Sequence, residues 1–316
     1  MQTPTPPWAG TGTLLGLLLA GVGSLSAQNL KPLSDYNVIT RGNFSTTSEV
    51  EGRTLVGGSL ISQNSANFGI KLQGKVSSTT PVLSVHGDIV SGNPLNLNAG
   101  SLEIGGNLNN RKINYNGGGS LLTGYTTDGT AIINSLDLAS QALSALNKNS
   151  SFIMPADQPA AFKFNATPDS NGVAVFSVSA SDLFSNNKVQ QIELNLNGAS
   201  DIVINVSGVN IVWTAGNMVG VFNQDDVRDN IVWNFYEATT IDFGSHAMNG
   251  QILAPLADVT TSGVINGSIY ANSLTTTSEV HLPGYNGSLT LVPEPSSALL
   301  GGLGMTLLLC RRKRLG

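Results

Sequence analysis

Five-residue blocks of the form apolar, polar, Gly, polar, apolar recur along this chain, and the recurrence restricts what it can fold into. Met248-Asn-Gly-Gln-Ile252 returns 17 residues later as Ile265-Asn-Gly-Ser-Ile269, and the same pattern stands at Val85-His-Gly-Asp-Ile89. Val56-Gly-Gly-Ser-Leu60 returns as Ile104-Gly-Gly-Asn-Leu108, 48 residues on. Between the blocks lie short alternating runs, such as Val189-Gln-Gln-Ile-Glu-Leu-Asn-Leu196 and Ile202-Val-Ile-Asn-Val206, each stopped by Gly or Asn. A period of two is the signature of a strand, and Gly and Asn are turn formers. Glycine at fixed places beside inward-facing Ile, Val and Leu suits coils that turn sharply and meet their neighbours at about 4.8 Å. The pattern therefore predicts an all-β fold, a parallel β-solenoid. A β-sandwich is the alternative, because it too uses short alternating strands and Gly turns.

One segment has a different period. From Asn134 to Lys148, Leu136, Ala139, Leu143 and Leu146 fall at helical spacing, with Ala142 alongside and Asn134 or Ser135 as the cap. A single long amphipathic helix of about four turns is expected here. In a solenoid its place is along one face, covering apolar surface that the coils leave exposed.

The two ends carry different signals from the body. Residues 1–27 hold an apolar stretch, Leu14 to Val22, followed by Ser24, Leu25, Ser26 and Ala27, which reads as a signal peptide cleaved after Ala27. Only the terminal amine supplies the positive charge that usually precedes such a stretch. At the other end Pro293, Glu294 and Pro295 forbid regular structure, an apolar run reaches Cys310, and Arg311, Arg312, Lys313 and Arg314 follow. Residues 296–310 span about 22 Å as helix, against roughly 30 Å of hydrocarbon, and the basic cluster is expected to stay cytoplasmic. A plain membrane tail is one reading. The order Pro-Glu-Pro, Gly- and Leu-rich span and Arg/Lys cluster also resembles the PEP-CTERM sorting signal of Gram-negative bacteria. That resemblance implies an exosortase-type sorting enzyme as partner, transient residence in the inner membrane, and release to the cell surface or extracellular matrix.

Residues 28–292 then form the body, read as one domain. The only cysteine is Cys310 in the tail, so no disulfide can staple the body. Of 15 Lys and Arg and 20 Asp and Glu, four basic residues and Glu294 lie in the tail, which leaves 11 against 19 in the body. A net charge near −8 argues against nucleic acid, whose phosphates need a basic face.

Several blocks of the body are similar to the choice-of-anchor A family: Tyr36-Asn-Val-Ile39, Val50-Glu-Gly-Arg-Thr-Leu-Val-Gly-Gly-Ser-Leu60, Asn230-Ile-Val-Trp-Asn-Phe235, Gly250-Gln-Ile-Leu-Ala-Pro255 and Asn266-Gly-Ser-Ile269. The resemblance implies a bacterial surface protein, regarded as adhesive, with no assigned enzymatic activity and with PEP-CTERM among the family's anchors. The solenoid-plus-helix plan also resembles that of ice-binding proteins.

Catalytic constellations are sparse. His86, His246 and His281 share no metal-ligand spacing, and no Gly-x-Ser-x-Gly elbow, Cys–His pair or phosphate-cradling Gly-x-x-x-x-Gly-Lys loop occurs. The densest polar cluster is Asp225, Asp226 and Asp229 with Arg228, and Glu237 and Asp242 beyond. Three readings are open for it: a solvated loop, a calcium site built from Asp225, Asp226 and Asp229, or paired carboxylates of an enzyme that acts on polysaccharide.

Adjacent threonines recur at 46–47, 79–80, 126–127, 239–240, 260–261 and 275–277. A flat threonine array would suit an ice lattice, but neighbours on a strand point to opposite faces, so a pair gives one side chain to any plane. Turns and strand ends are the expected places for these pairs. Trp213 and Trp233 lie in apolar runs and read as core rather than as sugar-stacking platforms. The residues together predict a non-enzymatic, exported surface or matrix protein that needs no cofactor. It would offer hydroxyls and amides to exopolysaccharide or to neighbouring cells.

Overall fold

The structure is a computed structural model that describes residues 30–289 and 291, apart from 123 and 157. The signal-peptide site Ala27, the Pro293-Glu294-Pro295 motif and the basic cluster lie outside the described residues. No helix among the described residues is long and apolar enough to cross a membrane.

Strands stack in parallel into coils, and the stacked strands form three rows. Only Ser151–Ile153 runs antiparallel to its partner, Ala160–Asn165, among the described pairs. A sandwich would be antiparallel throughout, so the parallel solenoid is the fold. In the first row the spatial order is Val173–Ser179, Asp201–Ser207, Ile231–Asn234, Gln251–Thr261, Ile269–Thr276, Val38–Thr40, Thr54–Val56, Pro81–Val85 and Ser101–Ile104. Space and sequence therefore disagree. The first coil of the chain rests on its last, with Val38 opposite Ile269, Ile39 opposite Tyr270 and Thr40 opposite Ala271.

The repeats read from the sequence are the stacking register. Met248 pairs with Ile265 and Ile252 with Ile269, so the 17-residue offset is one coil. Val56 pairs with Val85 and Val85 with Ile104, so the 48-residue offset is two. The Val85 block thus belongs with the Val56 and Ile104 blocks rather than with Met248. Its glycine explains why. Gly58, Gly87 and Gly106 form a column joined by main-chain hydrogen bonds, Gly87 N–H to Gly58 at 2.8 Å and Gly106 N–H to Gly87 at 3.1 Å. A Cβ at Gly87 would lie 2.7 Å from the Gly58 carbonyl oxygen, and one at Gly106 only 2.5 Å from that of Gly87. No side chain fits between coils at this corner.

Inside the coils lies one apolar core. At the end containing residues 152–243 it is filled by aromatic rings in mutual contact, among them Phe164, Phe176, Phe184, Trp233 and Phe235. Trp213 and Trp233 are both buried, as their apolar surroundings in the sequence imply.

The long helix spans Gly129–Ser144, five residues earlier at its start than the periodicity suggests. Asp128 is the cap, its carboxylate accepting the Ala131 N–H at 2.9 Å, and it displaces Asn134 and Ser135 from that role. Ile133, Leu136, Ala139 and Leu143 form its buried stripe. They cover a second core built on the outer surface of the first row: Ile39, Leu55, Val203, Val232, Leu253 and Tyr270. The helix also explains the order of the coils, because it carries the chain from the Ser101–Ile104 end back along the solenoid toward the Val173–Ser179 end.

Where the two halves meet, Asn37 is fully buried. Its amide donates to the carbonyls of Gly267 at 2.8 Å and His281 at 3.0 Å, while its oxygen accepts the Gly52 N–H at 3.0 Å. Asn37→Ala would strand two buried main-chain groups, the Gly267 carbonyl and the Gly52 N–H, each worth about 1–3 kcal/mol, while the half-buried His281 carbonyl keeps the Gly267 N–H. We expect the variant to lose about 2 kcal/mol or more in urea denaturation, whereas Asn116→Ala, at an exposed site, should leave the midpoint nearly unchanged.

Candidate binding face

The first row is covered by the helix, but the row that follows it around each coil faces solvent. Its strands are Asn210–Val212, Thr240–Asp242, the C-terminal parts of Gln251–Thr261 and Ile269–Thr276, then Phe44–Thr46 and Leu60–Ile61. Ile211, Ile241, Val259, Leu274, Phe44 and Leu60 point inward in register and seal the core beneath. Alternation then forces the residues on either side outward. One outward rank is Asn210, Thr240, Asp258 and Ser273, and the other is Val212, Asp242, Thr260, Thr275, Ser45 and Ile61. Successive members stand one coil apart, about 4.8 Å.

Many of these side chains are already oriented by their neighbours. Thr240 Oγ1 donates to Asn210 Oδ1 at 2.8 Å, and Asp258 Oδ1 accepts from Ser273 Oγ at 2.6 Å and Asn272 Nδ2 at 2.8 Å. Asp242 Oδ1 accepts the Gly244 N–H at 2.8 Å. Thr260 and Thr275 pair in register and are exposed. Their sequence neighbours Thr261 and Thr276 are buried, and each hydroxyl accepts the N–H two residues on, from Gly263 at 3.1 Å and from Ser278 at 3.0 Å. Each pair thus gives one threonine to the surface and one to the corner turn.

The carboxylate cluster does not converge. Asp225 and Asp226 are exposed on the short helix Asp225–Arg228, where Asp225 forms an ion pair with Arg228. Asp229 turns inward and accepts from Asn230 Nδ2 at 2.9 Å. Burial raises its pKa, and the neighbouring Asp226 and Asp225 charges add to the rise against a hydrogen bond from Asn286. Among the described residues no three His, Cys, Asp or Glu side chains gather in a way that could hold a metal ion. Nor do the histidines meet: His86 stands edge-on to Tyr125, His246 stacks on Trp213 at 4.5 Å, and His281 bonds Asn266 and Glu279.

Residues 29–282 match the family model described as "Putative Ice-binding-like adhesive domain". This chain belongs to that family. No curated protein sequence matches it at a significant level. Among solved structures it is similar to the crystal structure of an ice-binding protein from the Antarctic ascomycete Antarctomyces psychrotrophicus, with a TM-score of 0.30 and 12% identity over 82% of this chain and 100% of that one.

In this ice-binding-like adhesive domain one buried polar network serves the helix. Asn205 and Asn234 pair across adjacent coils beneath it. Asn234 Nδ2 donates to Asn205 Oδ1 at 2.8 Å and to the Ser140 carbonyl at 2.9 Å. Its oxygen accepts from Ser140 Oγ at 2.6 Å, and Asn205 Nδ2 reaches the Leu143 carbonyl at 2.7 Å. Asp137 binds Tyr270 at 2.7 Å and Arg41 at 2.6 Å. The sequence does hold a signal for the asparagines, since each interrupts an apolar strand at the same phase, in Ile202-Val-Ile-Asn-Val206 and in Ile231-Val-Trp-Asn-Phe235.

At the far end Glu103 is fully buried and gathers the hydroxyls and N–H groups of Thr126 and Thr127 and the hydroxyl of Ser84. Burial pushes this carboxyl up, but the bonds from Thr127, Thr126 and Ser84 outweigh it and hold Glu103 below the usual glutamate range. A depressed folded pKa stabilises fully above the unfolded value of about 4.3 and is lost as pH falls through the folded one. The wild-type melting temperature should therefore drop more steeply than that of Glu103→Gln as pH falls below about 4. Equal slopes in a pH series of melting curves would contradict this role.

Proposed function

We propose that this domain is an exported, non-enzymatic adhesive protein of the cell surface or extracellular matrix, and that the open face is what adheres. The observation that carries the reading is the pair of outward ranks, polar along most of their length and held in register on a rigid stack of coils. A polysaccharide chain lying along the face would meet a hydroxyl, amide or carboxylate at every coil. Each contact is weak, but repetition on one rigid body converts many weak contacts into useful affinity. The ligand class is exopolysaccharide or the glycans of neighbouring cells, and the acidic body disfavours nucleic acid.

The tail supplies delivery in this reading. A PEP-CTERM signal at Pro293, Glu294 and Pro295 would be cut by an exosortase-type enzyme after transient residence in the inner membrane. The choice-of-anchor A resemblance of the body supports the same route, since such domains are paired with exchangeable anchors.

Ice is the second candidate ligand, and the family description favours it. Carboxylates at Asp242 and Asp258 and the apolar Val212 interrupt the hydroxyl pattern in the ranks, which suits a hydrated polyhydroxyl chain better than a flat lattice. Exopolysaccharide from the native host, immobilised on a sensor surface, provides the test. Thr260→Ala with Thr275→Ala should weaken retention about three- to tenfold while leaving the melting temperature within a few degrees. Unchanged retention, or ice-crystal shaping that these substitutions abolish, would move the assignment away from polysaccharide.

A further inference from the structure

The open row stops one coil short of the row beside it. After Val173–Ser179 the chain enters the short helix Ala180–Leu183, whereas after Asp201–Ser207 the next coil runs into the strand Asn210–Val212. Asn210–Val212 consequently pairs only with Thr240–Asp242. The Thr240 N–H bonds the Val209 carbonyl and the Trp213 N–H bonds that of Asp242, so residues 209, 211 and 213 face the partner strand. The main-chain groups of Asn210 and Val212 then face the opposite way. Among the described residues no main-chain partner meets them.

They open into a groove of about 300 Å³ whose walls include Ser179, Ser181, Ser207, Gly208 and Glu237. The same end of the solenoid is closed elsewhere. Asn149 and Ser150 bond Val173 and Val175 along the neighbouring edge, and antiparallel Ser151–Ile153 covers Ala160–Asn165. Proteins close sheet edges because unpaired edges recruit other strands. This one is left open, and the exposed side chains of Val209 and Val212 stand beside it, 51% and 52% accessible.

We propose that the edge of Asn210–Val212 is a β-augmentation site that takes one extended, basic strand of a partner polypeptide. Main-chain pairing would supply the register and the open row would gain its missing strand. The groove is too small for an α-helix, whose diameter with side chains is about 10 Å. Charge selects the partner. Glu237 lines the groove, no Lys or Arg does, and Asp242 stands next to Val212 in the outward rank. Serines and Gly208 leave room for small side chains on the incoming strand.

The test uses the full-length protein and a capped, fluorescein-labelled peptide, Lys-Val-Thr-Val-Thr-Lys, followed by anisotropy and amide hydrogen exchange. Saturable binding is expected, with exchange slowed at Asn210 and Val212. Val212→Pro removes an edge N–H at an exposed position and should weaken binding about tenfold or more. Glu237→Gln keeps the bond to the Gly208 N–H and should weaken it about threefold, with a flatter salt dependence. A peptide N-methylated at alternate amides tests the pairing without altering the protein, and it should not bind. The proposal is overturned if the peptide fails to saturate at millimolar concentration or if the methylated peptide binds equally well. Slowed exchange centred on Thr260 and Thr275 would also overturn it. So would slowing that appears without peptide together with a doubled molecular mass, because the edge would then belong to a second copy.

Discussion

An interior parallel coil has its main chain met above and below, and the coil that begins at Val38 obtains one of its two partners from far along the chain. Ile269 and Tyr270 supply the ladder on that side, Thr54 and Leu55 on the other. Asn37 fastens the seam with three hydrogen bonds to main chain, and the Ser268 hydroxyl adds a bond to the Leu33 carbonyl at 2.7 Å. Without this seam the molecule would be two short stacks, each with an additional open edge. The helix fastens the same join from outside, since Asp137 holds Arg41 of one half and Tyr270 of the other.

Division of labour among the faces follows from that join. A helix that returns the chain along the solenoid must lie on one face, and it brings Asn205, Asn234 and Tyr270 into its own hydrogen-bond network. That face is then unavailable to a ligand. The adjacent open row keeps its polar ranks, because its inward positions alone satisfy the core. Adhesion through this row, as proposed, would require no moving part, only the stiffness that comes from uniform coil spacing.

Much of this was legible in the sequence, and the reasons differ by element. The 17-residue recurrence is the coil itself, because Met248 and Ile265 occupy one column and that column tolerates little besides an apolar side chain. The glycine column was legible too, though the Val85 block was grouped with the wrong partners: similarity of five letters does not record which coils are neighbours. Apolar periodicity found the helix but misplaced its start, since Asp128 caps from outside the periodic stretch. The splice between the two halves left no local signal. Asn37 looks like any turn asparagine, and its partners lie 230 and 244 residues away. The Asp225 cluster stands close in sequence, but Asp225 and Asp226 stay exposed, Asp225 paired with Arg228, while Asp229 is buried.

The seam also has a temporal side. During synthesis the edge at Val38 emerges well before the strand Ile269–Thr276 that must cover it, so the coils that start there wait with an unpaired border until that strand is made. Folding of this domain is thereby tied to synthesis of Ile269–Thr276, and its high contact order points to slow closure. Under the export proposed above, in which the chain crosses a membrane before it folds, such a delay is an advantage.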